Sequence, residues 1–259
     1  MTELRWNDTI GAPATAAEAR LELAAVCRLI AREGFAPIGA ARLAARDPGR
    51  PGVYFANPGA LLLDQITASN LIEVDRDGRH MGTGEAEPDS GALAMVLAAL
   101  EAKPGAAAAA QIASAAGTVV AALEGGLQPI TQTAFMFHGA IGAWDWDPAA
   151  TPERIRTGIA KALSGEARAA LIRGRGLLIC AETLAQTWKL SFFLNKCCRS
   201  QIDAMAAAKA SGTPLTIPSA AVVDHAVMQS RAFVAHPRFI ADWPSFLDQL
   251  DREDPSYRD

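Results

Sequence analysis

The sequence predicts a mixed α/β fold in one domain, with a sheet flanked by helices. Three observations predict it. Segments with strand character alternate along the chain with segments whose apolar residues recur at helical spacing. Asp77-Gly78 suits a tight hairpin between two adjacent strands. The 259 residues, half of them apolar and a fifth charged, contain no repeat and no long polar linker, so one large core is expected.

The first helix is predicted by the signals at its ends. Thr15 and Glu18 have the spacing of a capping box, in which each side chain bonds the backbone N–H of the other residue. Apolar residues then recur at helical spacing, at Leu23, Val26, Cys27 and Ile30. Gly34 follows as a C-terminal stop. The next segment, 35–51, contains three prolines and two glycines, so any strand there must be short.

Two short strands are predicted next. Residues 52–56 have strand composition and end at the turn signal Asn57-Pro58-Gly59. Residues 71–75 form the second strand, and the chain returns from the hairpin through residues 79–81. The hairpin is therefore predicted to pair residues 71–75 with residues 79–81.

Helices and strands alternate through the middle of the chain. A helix is predicted over about 89–102, where Pro104-Gly105 ends it, and a buried strand over 106–111. A second helix is predicted over 114–123. Residues 133–138 have the composition of a further strand, which would end at His138.

The C-terminal half is predicted to be mostly helical. Thr151 begins a helix, with Pro152 at its first position. A short apolar strand over 177–180 precedes a long helix that begins at about Thr183, and residues 243–250 form a last short helix.

Charge and composition exclude several classes of partner. The net charge is −4 and charges of both signs are mixed along the chain, so no basic stripe predicts a nucleic-acid surface. The N-terminus has no basic region followed by an apolar run, which argues against a signal peptide. The most apolar region, 92–123, is largely alanine and carries charged residues, so it does not predict a membrane span. We expect a cytoplasmic protein that binds a small molecule, with neither nucleic acid nor membrane as a partner.

The four cysteines predict neither a zinc site nor a disulfide. None belongs to a CxxC pair, and the adjacent Cys197 and Cys198 would point about 100° apart on a helix. We expect Cys27, Cys180, Cys197 and Cys198 to be buried or half-buried thiols.

Several segments, in their order and spacing, resemble the class II aldolase/adducin family. Residues 57–64 (NPGALLLD), 66–71 (ITASNL) and 74–78 (VDRDG) resemble the family's strand, glycine turn, helix and second strand. Residues 127–132 (LQPITQ) resemble its L-x-P-L-T-Q segment, and residues 250–258 are close to a tail common in the adducin-like branch. Together the segments span most of the chain.

The resemblance implies a single α/β domain over residues 1–259, with a mainly antiparallel sheet flanked by helices. It also implies a flexible segment over 1–14, a C-terminal helical extension over 210–259, and a homo-oligomer, a tetramer or a dimer, with sites at subunit interfaces. Enzymes of the family bind a divalent metal through three histidines, and a glutamate on the preceding helix is the acid or base. The metal polarises a carbonyl and stabilises an enediolate.

The residues that match these functional positions differ from the family pattern. The resemblance places the three metal-binding histidines at Gln111, Ala113 and Arg175, and the acid at Ala92. An amide is a poor zinc ligand, a methyl group is none, and a guanidinium is cationic. We therefore expect no metal and no other cofactor.

The replacements leave two interpretations of each residue open. Arg175 would bind a carboxylate or an oxyanion, or would only form a structural ion pair. Gln111 would orient a ligand or bond nearby backbone. His138 would face the site or be a core or interface histidine. Trp144 and Trp146 would line a pocket rim or a subunit contact. The substrate-binding residues that the resemblance implies are Asn57, Gly59, Ser90, Gln132 and Arg42.

An acid and a cavity are the remaining expectations for the site. Glu85, Glu87 and Asp89 precede Ala92 and would supply an acid if the loop register shifts, whereas Asp89 also suits a helix N-cap. Small residues replace polar groups around the presumed cleft, which predicts an apolar cavity. These residues are Ala44, Gly91, Ala92 and Ala113.

Three functions follow from these alternatives. The first is a metal-independent lyase or isomerase that acts on a small carbonyl or carboxylate metabolite and uses Arg175 in place of the metal, with Gln111 and His138. The second is a noncatalytic member that binds a ligand or serves as a partner or structural subunit, because fold does not determine function. The third is a variant that uses a cofactor with a cysteine or histidine from elsewhere.

Overall fold

The structure of the protein is a computed structural model that describes residues 11–36, 41–81, 83–85 and 90–259. Most of the segment expected to be flexible, residues 1–10, lies outside this description. So do Glu87 and Asp89, two of the candidate acids, and the side chain of Ser90.

Seven strands form one mixed sheet with the order β3-β2-β1-β4-β7-β6-β5. All neighbouring strands are antiparallel except β5 and β6, which are parallel, so the predicted mainly antiparallel sheet is confirmed. The strands are β1 (Ala41–Arg46), β2 (Tyr54–Ala56), β3 (Ile72–Val74), β4 (Ala108–Ile112), β5 (Ile141–Asp145), β6 (Ala169–Arg173) and β7 (Gly176–Ala181).

Helices cover both faces of this sheet. They are α1 (Ala16–Arg32), α2 (Ser90–Ala102), α3 (Ala115–Ala122), α4 (Pro152–Ala162), α5 (Leu184–Ser211), α6 (Ala220–Ala235) and α7 (Trp243–Glu253). Helices α1, α3 and α5 pack on one face, here called the α1 face, and helices α2 and α4 pack on the other, here called the α2 face. Of the helices in the described part of the chain, none has the length and apolar character that a membrane crossing requires.

Strand β4 shows how alternation assigns residues to the two faces. Ala108, Ala110 and Ile112 contribute to the core of the α1 face, and Ala109 contributes to the core of the α2 face. Side chains alternate along a strand, so Gln111 points to the α2 face with Ala109. The layer that covers Gln111 is therefore the one formed by α2 and α4.

The local signals at helix ends predicted the structure correctly. Thr15 caps α1: the backbone N–H of Glu18 donates to Thr15 Oγ1 at 3.2 Å, and the Glu18 carboxylate accepts from the backbone N–H of Thr15. Thr151 caps α4 with its hydroxyl alone, which accepts the backbone N–H of Arg154 at 3.3 Å, and Pro152 is at the first helical position. The Asp77-Gly78 hairpin is also present, with Gly78 at φ +76°.

The predicted strand over 133–138 is wrong. Residues Gln132–Met136 form a 3₁₀ helix, because the Thr131 hydroxyl accepts the backbone N–H of Ala134 at 3.2 Å and starts a tight helical turn. His138 follows this helix and is exposed. Strands β5 and β6 were not predicted.

Candidate functional site

The site begins where the β6–β7 hairpin meets the end of β4. The backbone N–H of Arg175 donates to Ile172 O at 2.9 Å and closes the hairpin turn. Gly176 has φ +96°, and a Cβ atom there would lie 2.4 Å from Ile112 O and 3.1 Å from Ala113 Cα. Only glycine permits this approach, so the turn that carries Arg175 lies directly against residues 112 and 113.

A buried hydrogen bond joins the two strands' ends. Gln111 is 2% exposed, and its amide Nε2 donates to Arg175 O at 2.7 Å. The structure thus brings together Gln111, Ala113 and Arg175, the three positions that the resemblance assigns to metal ligands. It also shows that Gln111 bonds backbone, one of the two roles expected for it.

Arg42 is the second arginine at this place. It stands directly opposite Gln111 in the β1–β4 register, so their Cβ atoms are about 5 Å apart on the same face. Its side chain is almost fully buried, and Nη1 donates to Ala41 O at 3.2 Å. Arg42, Gln111 and Arg175 are called the arginine–glutamine cluster below.

The guanidinium of Arg175 lies over an aromatic ring. Its Cζ atom is 5.0 Å from the centroid of Trp146, which is a cation–π contact. Trp144, two residues earlier, packs so closely on α4 that a Cβ atom at Gly158 would lie 2.1 Å from its indole nitrogen. Within this chain Trp146 therefore lies beside Arg175, and Trp144 packs on α4.

The donor atoms of the cluster do not fit a divalent metal. Two guanidinium groups are permanently cationic, and the Gln111 amide nitrogen is already a donor to backbone. Among the described residues, no group of three or more histidine, cysteine, aspartate or glutamate side chains could hold a metal ion. No chemical step through a metal is therefore derived for this site.

The position of the family's acid is apolar and closed. Ala92 is 2% exposed in the core between α2 and the sheet. Ala44 is fully buried in the same core, so the apolar cavity expected from the small residues does not form around these two positions. Glu85 is exposed. The expectation of an apolar cavity is thus corrected at Ala44 and Ala92, because helix α2, which carries Ala92, packs directly onto β1, which carries Ala44.

The predicted substrate-binding residues do not all lie at the cluster. Asn57 is buried and bonds β1 at both ends of its amide, accepting the N–H of Leu43 at 2.8 Å and donating to Ala41 O at 3.3 Å. Asn57 therefore holds the backbone of β1 at both neighbours of Arg42 and so helps to position that arginine. Gly59 is half-buried in the turn that follows, and Gln132 is exposed at the start of the 3₁₀ helix.

His138 lies away from the arginine–glutamine cluster within one chain. It lines an open pocket of about 480 Å³ on the outside of the 3₁₀ helix, together with Gly139 and four residues of α6, Asp224, Val227, Met228 and Arg231. Phe137, next to it, belongs to the core of the α1 face, whereas Gln111 points to the α2 face. The structure therefore does not bring His138 to Arg175 in one protomer.

All four cysteines are buried free thiols, as predicted. Burial raises the pKa of Cys180 and of Cys198 to about 12, and raises the pKa of Cys27 and Cys197 as well. Cys180 Sγ donates to Ala99 O. Thiols in this state are poor nucleophiles.

Comparisons with known proteins agree with this architecture. The family model described as Class II Aldolase and Adducin N-terminal domain matches residues 21–202. A Caulobacter vibrioides protein whose name places it with the class 2 aldolases is 29% identical over 242 residues, covering 93% of this chain and 92% of that protein. Decarboxylase NovR from Streptomyces niveus is 32% identical over 199 residues, 75% of this chain and 72% of that protein. The crystal structure of an aldolase II superfamily protein from Pseudomonas syringae is similar with a TM-score of 0.85 and 27% identity, covering 95% of this chain and 97% of that one.

Proposed function

Because the chain belongs to the class II aldolase/adducin family, we propose that it binds a small carbonyl or carboxylate metabolite at Arg175 and acts on it as a metal-independent lyase or isomerase. The observation that carries the proposal is the position of Arg175. Its backbone is bonded by Gln111, its guanidinium lies over Trp146, and the turn is seated against β4 by Gly176. The resemblance assigns position 175 to a metal ligand, and the proposal is that the Arg175 cation takes over part of the metal's role.

A guanidinium supplies part of what a metal supplies. Its planar N–H groups bind a carboxylate through two parallel hydrogen bonds, and they stabilise an oxyanion that develops on a neighbouring carbonyl. The Trp146 ring, 5.0 Å from Arg175 Cζ, would help to hold the guanidinium in place for such a ligand. Such fixed donors favour the charged transition state because they need no reorganisation during the reaction.

Arg42 would act through charge and not through contact. Its side chain is buried beside Gln111, so it adds a second positive charge to a region that the α2 core shields from water. Charges interact more strongly at such a site than in bulk solvent. Two cationic side chains in this cluster suit a ligand that carries an anionic group. Ser90, Gly59 and Gln132 remain predicted ligand contacts.

The proposed catalytic function also needs a general acid or base, and none is identified among the described residues of the cluster. The family's acid position carries a buried alanine, and His138 lies on the other side of the sheet within one chain. An acid would come from residues 85–89 or from a second copy in the homo-oligomer that we also propose. Ala92 favours the alternative function, a noncatalytic subunit that binds its ligand without turning it over.

Ligand binding is tested with thermal unfolding in the presence of pyruvate, glycolate or oxalate, each at millimolar concentration, and with pyruvamide and glycolamide as uncharged counterparts. We expect the carboxylates to raise the unfolding temperature and the amides to have no effect. Arg175→Ala should abolish the carboxylate effect. Arg173→Ala is the matched control, since Arg173 lies in the same hairpin but bonds Asp145 at 2.5 Å. Equal loss in both variants, or no loss in Arg175→Ala, would refute the proposal.

Catalysis is tested separately by NMR in deuterium oxide. A lyase or isomerase that forms an enediolate exchanges the C–H hydrogen beside the carbonyl of its substrate, and decarboxylation releases carbon dioxide. Exchange or release that Arg175→Ala removes supports the enzyme. Binding without either supports the noncatalytic subunit. Metal analysis of the same sample should find no stoichiometric zinc, and one zinc ion per chain would contradict the use of Arg175 in its place.

A further inference from the structure

Helix α6 packs on the rest of the described chain along one face only. It has 16 residues, of which Val223 and Val234 alone are buried. Isolated helices of this length are marginal in water, and helices in proteins owe most of their stability to an apolar face that packs on something. Among the described residues, α6 packs on the 3₁₀ helices Gln132–Met136 and Pro237–Ile240, and its opposite face is exposed.

One exposed face of α6 has the composition of a helix–helix contact. Asp224, Met228 and Arg231 follow each other at spacings of four and three residues, so they share a face. Met228 is 62% exposed, the highest value among the exposed large apolar residues of the described chain. The other residues of this face are alanines, all exposed, which let a second helix approach closely: Ala220, Ala221, Ala232 and Ala235.

The charges on this face are arranged so that two copies of the face can pair with opposite charges in contact. Asp224 and Arg231 lie at equal distances, about 5 Å along the helix axis, on either side of a point between Val227 and Met228. A two-fold axis through that point places Asp224 of one copy opposite Arg231 of the other, and the reverse. The same axis places Met228 against Val227. Neither charged residue forms an ion pair within the described part of its own chain.

A groove lies beside this face at the place where a partner side chain would enter. It has a volume of about 480 Å³ and is lined by His138, Gly139 and the face itself. A Cβ atom at Gly139 would lie 3.3 Å from Arg231 Nη2, so the glycine lies directly beside this end of the groove. Methionine is unbranched and flexible, and it suits a groove of irregular shape.

We propose that α6 is a dimer interface, in which it packs antiparallel on α6 of a second copy of this chain and places Met228 in the partner's groove. A contact of this symmetry closes on itself, so the pair is a discrete dimer. The interface gives a surface to the homo-oligomer proposed above and does not depend on catalysis. It also places His138 at a subunit contact, the second of the roles expected for that residue.

Charge exchange across the interface is the first test. Molar mass is measured by light scattering after size exclusion over a range of micromolar concentrations. Asp224→Arg and Arg231→Asp should each raise the dimer dissociation constant at least tenfold, because like charges then face each other. The double variant should restore it to within about threefold. Asp203→Arg on α5 is the matched control, since Asp203 is exposed and pairs only with Arg199 of its own helix.

The outcomes separate the interface from oligomerisation in general. A wild-type protein that is monomeric at every concentration overturns both the interface and the homo-oligomer. An oligomer that none of the three α6 variants weakens overturns the α6 interface alone. Weakening by the single variants without restoration in the double variant overturns the antiparallel register. Circular dichroism of each variant verifies that α6 and the remaining helices are intact.

A cysteine cross-link provides an independent test of the register. The four native cysteines are buried, so a new surface thiol is the only accessible one in the described chain. Met228→Cys places a thiol next to the two-fold axis and should form a disulfide-linked dimer under mild oxidation. Val222→Cys, 54% exposed on another face of the same helix, should not. Equal cross-linking of both variants, or none in Met228→Cys, overturns the proposed contact.

Discussion

The close approach of the β6–β7 hairpin to β4 predicts a large difference between two neighbouring glycine substitutions. Both Gly174 and Gly176 have positive φ, at +81° and +96°. A Cβ atom at Gly174 would meet only Trp146 Cε3, at 3.7 Å, which is ordinary contact. At Gly176 it would lie 2.4 Å from Ile112 O, a backbone atom of the buried strand β4. Both substitutions therefore introduce backbone strain from positive φ, but only the one at Gly176 also causes a steric clash with β4.

The expected magnitudes follow from these two contributions. An alanine in the left-handed region costs about 1–2 kcal/mol of stability, which is the whole effect expected for Gly174→Ala. Gly176→Ala adds the displacement of β4 backbone in a well-packed core, for which overpacking costs about 1–3 kcal/mol. We therefore expect Gly176→Ala to lower the free energy of unfolding by about 4 kcal/mol, roughly 2 kcal/mol more than Gly174→Ala.

Urea unfolding followed by tryptophan fluorescence and by circular dichroism measures this difference. The urea midpoints of the two variants are compared. If the slope of free energy against urea concentration is the same in both, the difference between the midpoints reports a difference in stability. If the variants differ by less than about 0.5 kcal/mol, within the usual scatter of such measurements, the hairpin does not press on β4 as described. The juxtaposition of residues 111, 113 and 175 would then lose its main support.

Three further predictions concern the cluster and a buried acid. Gln111→Leu should lower the free energy of unfolding by about 1–3 kcal/mol, because a buried carbonyl, Arg175 O, loses its donor; chemical denaturation measures it. Replacing positions 111, 113 and 175 by histidine should create a site that retains about one zinc ion per chain after dialysis, by elemental analysis, because three imidazoles then converge. Glu22→Gln should stabilise the protein at pH 8 and flatten its stability between about pH 4.5 and 7, since burial raises the pKa of Glu22 from 4.5 to about 7; urea unfolding at several pH values measures it.

The sign for Glu22 follows from proton binding. Between pH 4.5 and 7 the folded state holds a proton that the unfolded state has lost, so stability falls as pH rises through this window. The full loss above pH 7 is about 3 kcal/mol. The Trp243 indole lowers this pKa in part, although neither Glu22 Oε2 nor Trp243 Nε1 has a hydrogen-bond partner among the described residues. A wild-type protein whose stability rises over this range would contradict the assignment.

Two results contradict the predictions for the cluster. A change below about 0.5 kcal/mol in Gln111→Leu would mean that water or another donor bonds Arg175 O. Zinc binding by a variant with histidine at only two of the three positions, equal to that of the triple variant, would mean that the third position does not converge with them.

Local sequence signals predicted the elements whose ends are fixed by neighbouring residues. Thr15 and Glu18 cap α1 through bonds that span three residues, so the sequence alone contains both partners. The strand prediction for residues 133–138 was wrong because a local signal just outside the segment decides its structure. Its composition suits a strand, but the Thr131 hydroxyl, outside the apolar run, starts a 3₁₀ turn. A threonine three residues before the alanine was the signal that would have found it.

Contacts between distant segments were less predictable. The resemblance placed residues 111, 113 and 175 at one site, and the structure brings them together. Nothing in the sequence relates Trp146 to Arg175, because the contact depends on the parallel pairing of β5 with β6, a pairing made through α4. The closed core at Ala92 was missed for a related reason: small residues predict a cavity only when the neighbouring helix keeps its distance, and α2 does not.

The geometry of the cluster limits what position 175 is needed for. Gln111 bonds the carbonyl oxygen of residue 175, which every amino acid supplies, so this hydrogen bond does not require arginine. The contact with Trp146 adds about 0.5–1 kcal/mol at a half-exposed site, which aromatic or aliphatic side chains would partly replace by apolar contact. Neither of these two contacts requires a guanidinium at position 175. The proposed role of Arg175 therefore depends on ligand binding and not on these two contacts, and the comparison of Arg175→Ala with Arg173→Ala measures that ligand binding directly.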